Sequence, residues 1–458
     1  MLYRPKALEL SAIDLPHAKE TWMNIFQDNR KIGFSYSSLA PENQGYLLQE
    51  TVLMRINTMG MAQNIQLKTR GHLKDDFSLA DFDFNINSGR FSFHVDGALA
   101  GNVLTINTSS AGSRRRMEIT LKNKSFLLAG ITSAIAAAEL KAGDQYAFDI
   151  FDPATMGQTP VIVEVMGRED ITIAGSQKPA TRLALKFKGT SQIAWIGDSG
   201  DVLQEKGLLG IRLVKTTRQD ALEGLGEKAS ADLTQLASVA SNVKLENPNQ
   251  LTSLKYEING IADKRIRLDG GRQSFKNNLL TIHRESLADL TDHINPLNLQ
   301  AFEKIYLQPS AFIQSDHANI QTLSQKIVAD KPSALEQVRA LVDWVHLNIE
   351  KRPVLSLPDA LSTLKNRVGD CNEHAVLFAA LSRAAGIPCR LEAGLVYLKG
   401  RFYYHAWNLV YLGRWITVDA LFGQVPADVS HIRLVTGSPR RQLDIMGVIG
   451  KINLKIIQ

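Results

Sequence analysis

No proline occurs between Pro41 and Pro153, and that stretch mixes β-forming with polar residues throughout. Proline has no N–H to give to a sheet ladder, so a long run without it can form a continuous antiparallel sheet. Segments such as Leu47 to Met54 and Phe91 to Val95 have strand character, and Gly, Asn and Asp interrupt them at intervals suited to hairpin turns. The same rhythm resumes at Pro160 to Val165 and Arg182 to Phe187. It continues in Ile193 to Leu203, which reads as a strand, a Gly/Asp turn and a return strand. Between the two halves lies the Ala-rich run Phe126 to Ala138. It is too short for the roughly 20 residues of a spanning helix and reads as a short buried one. Residues 1–217 are therefore expected to form a mainly antiparallel β domain.

A chain of 458 residues exceeds one ordinary core. Residues 218–300 read as a helix, a linker and a small strand pair, Leu254 to Glu257 with Leu279 to His283, flanking the basic turn Lys264 to Arg272. From Asp316 the spacing turns helical. Ile320, Leu323, Ile327 and Val328 share one face. Ser333 and Glu336 form a capping box ahead of Val338, Val342, Val345 and Ile349. A shorter helix is expected over Ser356 to Leu364, with Pro358 in its first turn. Residues 301–458 thus make an α+β unit behind the β domain.

Within that unit, Gly369-Asp370-Cys371-Asn372-Glu373-His374-Ala375 reads as a helix start. Asp370 is the N-cap, Glu373 completes a capping box, and the helix should stop at Gly386, ahead of Pro388. A cysteine in the first turn meets unpaired N–H groups and the positive end of the helix dipole, which favour the thiolate. Three strand candidates follow: Cys389 to Leu398, Arg401 to Leu412 and Arg414 to Ala420. A reversal at Leu412-Gly413 would set Asp419 or Ala420 opposite His405, and opposed Cβ atoms lie roughly 5 Å apart. That gives Cys371 a base, His405, and a carboxylate, Asp419, to hold the imidazole in its useful tautomer. The Cys371 N–H is a natural oxyanion donor. The implied chemistry is acyl transfer through a thioester.

These blocks, with Ala384-Ala385-Gly386-Ile387-Pro388-Cys389-Arg390, Tyr404-His405-Ala406-Trp407 and Trp415-Ile416-Thr417-Val418-Asp419, resemble the bacterial branch of the transglutaminase-like superfamily over about Phe302 to Gly437. The resemblance implies a papain-like α+β core and a Cys371–His405–Asp419 triad. Animal transglutaminases have Gln and Trp on either side of the cysteine, where this chain has Asp370 and Asn372. The reading therefore moves from protein cross-linking toward a cysteine peptidase or amidase acting on a protein or peptide. Transamidation and a non-catalytic scaffold that keeps the fold are the alternatives. No calcium loop is visible, and no cofactor is expected. The N-terminal region resembles large curved antiparallel sheets of bacterial envelope proteins, half-barrels that bind or relay apolar molecules, which would give it an envelope-associated partner.

His374 and Trp407 are the candidate substrate-binding residues, although a hydrogen-bonded structural histidine and a sheet-packing tryptophan are the simpler roles for them. Cys389 reads as a small core residue opening a strand. A zinc tetrad of Cys371, His374, Cys389 and His405 fits no common module and leaves Asp419 unused, so no metal is expected. A net charge of +6 spread over this length, with Arg114-Arg115-Arg116 as the longest basic run, does not point to nucleic acid. The start MLYRPKALEL lacks the apolar core of a signal peptide, which as written implies the cytoplasm; a start further upstream would imply the periplasm or envelope.

Overall fold

The computed structural model describes residues 18–136, 140–224, 231–288, 290, 299–437 and 439–457. The expectation drawn from the first ten residues lies outside them. The chain divides into two compact units, 1–233 with 355–357, and 234–354 with 358–458. The segment expected as an intermediate piece, 218–300, is thus shared between them. Its first part holds two one-turn helices, Arg218–Leu222 and Leu233–Ala237, where one helix was expected. Among the described residues no helix is long and apolar enough to cross a membrane.

The N-terminal unit is one sheet of fifteen strands among the described residues. Its first strand, Lys19–Gln27, pairs with the second, Arg30–Glu42, on one side and with the last, Ile211–Thr216, on the other. From this seam the chain meanders out to Ser113–Thr120 at one edge, then returns from Ser125–Phe126 at the opposite edge. Flat, fifteen strands would hold those edges about 65 Å apart. The link from Thr120 to Ser125 can reach at most about 18 Å. The sheet must therefore be rolled, with its two edges close together.

Burial alternates along the strands, as in Phe91–Ala100, so one face supplies the core. The Ala-rich segment forms the helix Leu128–Ala136, whose Ile131 and Ile135 pack against Phe148, Val163 and Leu183. A cavity of about 160 Å³ is lined by apolar residues including Met23, Leu48 and Leu213, and by two carboxyls, Glu50 and Glu205. Burial raises both carboxyls to about 7, and Glu205 adds its repulsion to Glu50.

The C-terminal unit is built around one helix. Helices α1 (Ala318–Val328), α2 (Ala334–Asn348) and α3 (Ala360–Asn366) surround α4 (Cys371–Ala384), which lies on strands β1 (Cys389–Leu398) and β2 (Arg401–Tyr411). Every residue from Glu373 to Ser382 is buried, as a helix apolar all round its middle requires. Ser333 caps α2 as expected. Helix α3 starts later than Ser356. Pro358 stands before the N-cap, and Asp359 Oδ1 accepts the Ser362 N–H at 2.7 Å.

Strand β3 (Trp415–Val418) pairs with the C-terminal half of β2, and β4 (Ile432–Thr436) pairs with β1. The small pair Ser253–Asn259 and Leu279–His283 joins Gln273–Lys276 and the last strand, Asn453–Ile457, in a separate four-stranded sheet. Tyr256, Leu280 and Ile282 of that sheet share a core with Leu395 and Phe402 of β1 and β2.

Candidate active site

Cys371 stands where the sequence puts it, at the first position of α4. Asp370 is the N-cap: its Oδ1 accepts the Asn372 N–H at 2.9 Å, and Glu373 Oε2 accepts the Asp370 N–H at 3.0 Å. Gly369 lets this box close, because a Cβ there would sit 2.3 Å from Cβ of Glu373. On its other side the thiol meets β2, where Sγ accepts a hydrogen bond from the Ala406 N–H.

The thiol's acidity is not what the helix position suggests. Burial, reinforced by Asp370 and then by Glu373 and Asp419, pushes the Cys371 thiol well up, against the pull of the Ala406 N–H. Desolvation of a small anion outweighs the favourable end of the helix. Cys371 is therefore a thiol at rest, and it needs a base to become a nucleophile.

The residue next to Ala406 on β2 is His405, the base expected from the sequence. His405 Nε2 donates to Asp419 Oδ2 at 2.7 Å, so the His–Asp pair inferred from the hairpin is present. Its register differs from the expected one. Tyr411 pairs with Trp415 around a turn through Gly413, and Asn408 pairs with Val418. Continued one step, this ladder sets Asp419 opposite Trp407, two residues from His405. The contact is therefore diagonal across one face of the sheet. Burial acts to raise the Asp419 carboxyl, but His405 and His431 outweigh it and hold the group well below its ordinary range. In a neutral imidazole, a proton on Nε2 leaves Nδ1 as the accepting nitrogen.

The aromatic surroundings fix the ring. Phe422 lies over His405 with centroids 5.0 Å apart, and Trp407 stacks at 5.9 Å. Trp407 is only 1 % exposed and donates its indole N–H to Glu392 Oε2 at 3.0 Å, so it is an inner wall and not an open substrate contact. His374 is likewise 1 % exposed. Its Nδ1 donates to the Asp370 carbonyl at 2.7 Å, its Nε2 is buried without a partner, and burial lowers its pKa. Cys389 is fully buried, which pushes its thiol up to about 12; that is the inert core role expected of it.

Two participants were not visible in the sequence. His431 Nε2 donates to the same Asp419 Oδ2 at 2.9 Å, and its Nδ1 faces Asp428 Oδ1 at 3.1 Å. Both sit in an irregular segment before β4, where no periodicity marks which residues turn inward. The only available hint was the closeness of Asp428 and His431 in the mixed segment Val425 to Ile432.

His405, Asp419 and His431 bring ligand atoms within 4.8 Å of one another. Both imidazoles, however, spend the facing nitrogen as a donor to one carboxylate oxygen. The trio is joined as a hydrogen-bond chain through Asp419 Oδ2. Among the described residues the tetrad Cys371, His374, Cys389 and His405 forms no such group.

No curated protein matches the chain. Among solved structures, a protein from Cytophaga hutchinsonii described as a candidate cysteine protease is 18% identical, with 45% of this chain and 83% of that one covered and a TM-score of 0.30. A β-barrel-like protein of unknown function from Brucella abortus is 10% identical, covering 43% and 95%, with a TM-score of 0.34. A candidate protease from Parabacteroides distasonis is 11% identical, covering 71% and 63%, with a TM-score of 0.20. Likenesses this low carry no argument about the site. A family model does match, described as the transglutaminase-like superfamily, over residues 321–420. That range takes in α4, β1, β2 and β3 with Cys371, His405 and Asp419, and it ends before Asp428 and His431. The chain carries a transglutaminase-like domain at residues 321–420.

Proposed function

We propose that the C-terminal unit is a thiol-dependent acyl-transfer enzyme that cleaves amide bonds of a protein or peptide, with Cys371, His405 and Asp419 as its triad. The observation that carries the reading is the 2.7 Å contact between His405 Nε2 and Asp419 Oδ2. A hydrogen on Nε2, held by that buried ionised carboxylate, leaves Nδ1 to accept a proton. The thiol is hydrogen-bonded to the backbone of the very next residue.

In the proposed reaction His405 Nδ1 takes the Cys371 proton as sulfur attacks the amide carbonyl. The resulting oxyanion is met by the Cys371 N–H at the start of α4. When the C–N bond breaks, His405 returns the proton to the leaving amine and a thioester remains. Water then attacks, giving its proton to His405, and releases the acid and the thiol. Because Cys371 rests as a thiol, attack and proton transfer are coupled. The imidazole supplies what the helix end alone does not.

An amine in place of water would make the same site a transamidase, and Asp370 and Asn372 beside the cysteine weigh against that. The test is mass spectrometry of acyl-enzyme trapped with a peptide library. An acyl adduct on Cys371, absent in Cys371→Ala, is expected. Equal labelling of Cys389 in that variant would refute the assignment. Slow alkylation of Cys371, indifferent to loss of His405, would favour a scaffold.

A further inference from the structure

We infer that His431 is a fixed imidazolium that positions the Asp419 carboxylate and keeps it charged, extending the proposed triad to a chain of His405, Asp419, His431 and Asp428. The inference rests on the thiol reading of the site and is argued first from hydrogen bonds.

Each ring nitrogen of His431 faces only acceptors. Nε2 meets Asp419 Oδ2 at 2.9 Å; Nδ1 meets Asp428 Oδ1 at 3.1 Å and the Asp428 carbonyl at 3.3 Å. A neutral imidazole has one donor nitrogen and one acceptor, so it would set a lone pair against an acceptor on one side. A proton on Asp419 does not relieve this. Its Oδ1 already accepts the Phe422 N–H at 2.9 Å, and its Oδ2 is shared by two imidazole nitrogens, at 2.7 and 2.9 Å, so one added proton cannot serve both. Asp428 is engaged in the same way, by the Ser430 N–H and the Gln424 side chain. The ring is therefore doubly protonated. Burial opposes that charge, but Asp419 and Asp428 outweigh it and raise the His431 pKa to about 8.

Other charged groups around the ring are accounted for. Arg272 donates to the carbonyls of Ala427, Asp428 and His431 and pairs with Glu285 at 3.1 Å, so it braces the loop that carries the ring. Glu392 is tied to Trp407 and faces Arg433 at 3.8 Å. Tyr256 donates to the Val429 carbonyl at 2.8 Å. His405 lies 5.8 Å from His431, ring centre to ring centre.

The consequence for the site follows from sign. A cation this close makes every neighbouring group easier to deprotonate, so it counters the carboxylates that push the Cys371 thiol up. It also keeps the Asp419 oxygen that orients His405 from turning away or taking up a proton. His431 is a positioning residue, acting through Asp419.

The test uses the full chain labelled with ¹⁵N-histidine, together with His431→Gln and Asp428→Asn. At pH 7 the His431 ring, assigned as the signal missing from His431→Gln, should show both nitrogens protonated and titrate near pH 8. The rate of Cys371 alkylation by iodoacetamide, read on the Cys371 peptide, should fall about tenfold at pH 7 in His431→Gln, and the deficit should vanish as pH rises through about 8. The wild-type and variant curves should converge above about pH 9, where the wild-type ring is neutral as well. If His431→Gln does not fold, Asp428→Asn, which keeps the ring, carries the test and should show a deficit of the same sign at pH 7. A singly protonated ring at pH 7 would overturn the inference, and so would a rate loss that is the same at every pH. A pH-dependent deficit with no amide cleavage would instead refute the amidase reading and leave this one standing.

Discussion

Asp419 takes three hydrogen bonds on two buried oxygens, and the residues that give them differ in what they ask of it. Asp419→Asn keeps the shape but turns one end of the group into a donor, which disfavours the Nε2–H tautomer of His405. Acylation of Cys371 should slow by about 10³- to 10⁴-fold, measured with an acyl probe. Asp419→Ala should also cost about 3–5 kcal/mol of stability in denaturant titration, because it leaves the buried His431 cation with Asp428 as its remaining carboxylate partner. The pH dependence follows from the same groups. The His431 pKa is raised, so its contribution is full below about pH 6.5 and is lost as pH rises through about 8. Asp419 and Asp428 are lowered, so theirs is present above about pH 4 and is lost on further acidification. Melting temperature of the C-terminal unit should peak between those limits; a rise from pH 7 to 9 would contradict it.

At the scale of elements, α4 was legible because several local signs agreed: a cap, a capping box, apolar spacing and a closing glycine. The structure repeats them residue for residue, with Gly386 at a φ of 79° after the helix. Gly369→Ala should therefore cost about 1–3 kcal/mol by pushing Glu373 out of the box, and should lower Cys371 reactivity in the same preparation. The β2–β3 hairpin was legible in outline and misjudged in register, since loop length decides which residue faces which, and Arg414 joins Leu412 and Gly413 in the loop. The start of α3 was misread because Pro358 suits a first helical turn, whereas the deciding interaction is the Asp359 side chain on Ser362. The roles of His431 and Asp428 were not legible. Their contacts lie in a loop and depend on how far β2, β3 and β4 bring distant residues together.

For the whole molecule, the two units respond to pH through different groups. Glu50 and Glu205 are raised to about 7, so the N-terminal unit is favoured below about pH 4.5 and loses that contribution as pH rises through 7. Glu50→Gln should stabilise this unit at pH 8 by about 1–2 kcal/mol. Calorimetry should show two transitions, the upper or lower of which moves with Glu50→Gln while the other moves with Asp419→Ala. A single transition moved by both would mean that the units unfold together.

The seam between Lys19–Gln27 and Ile211–Thr216 carries a consequence for biosynthesis. Its partners lie about 190 residues apart along the chain, so it must be among the last pairings to form. Until Thr216 has left the ribosome, Lys19–Gln27 lacks the partner strand that closes this edge. Unpaired edges recruit other chains, so nascent protein stalled before that point should be a stronger chaperone client than protein stalled after it. The roll closes as translation moves into the segment that leads to the cysteine helix.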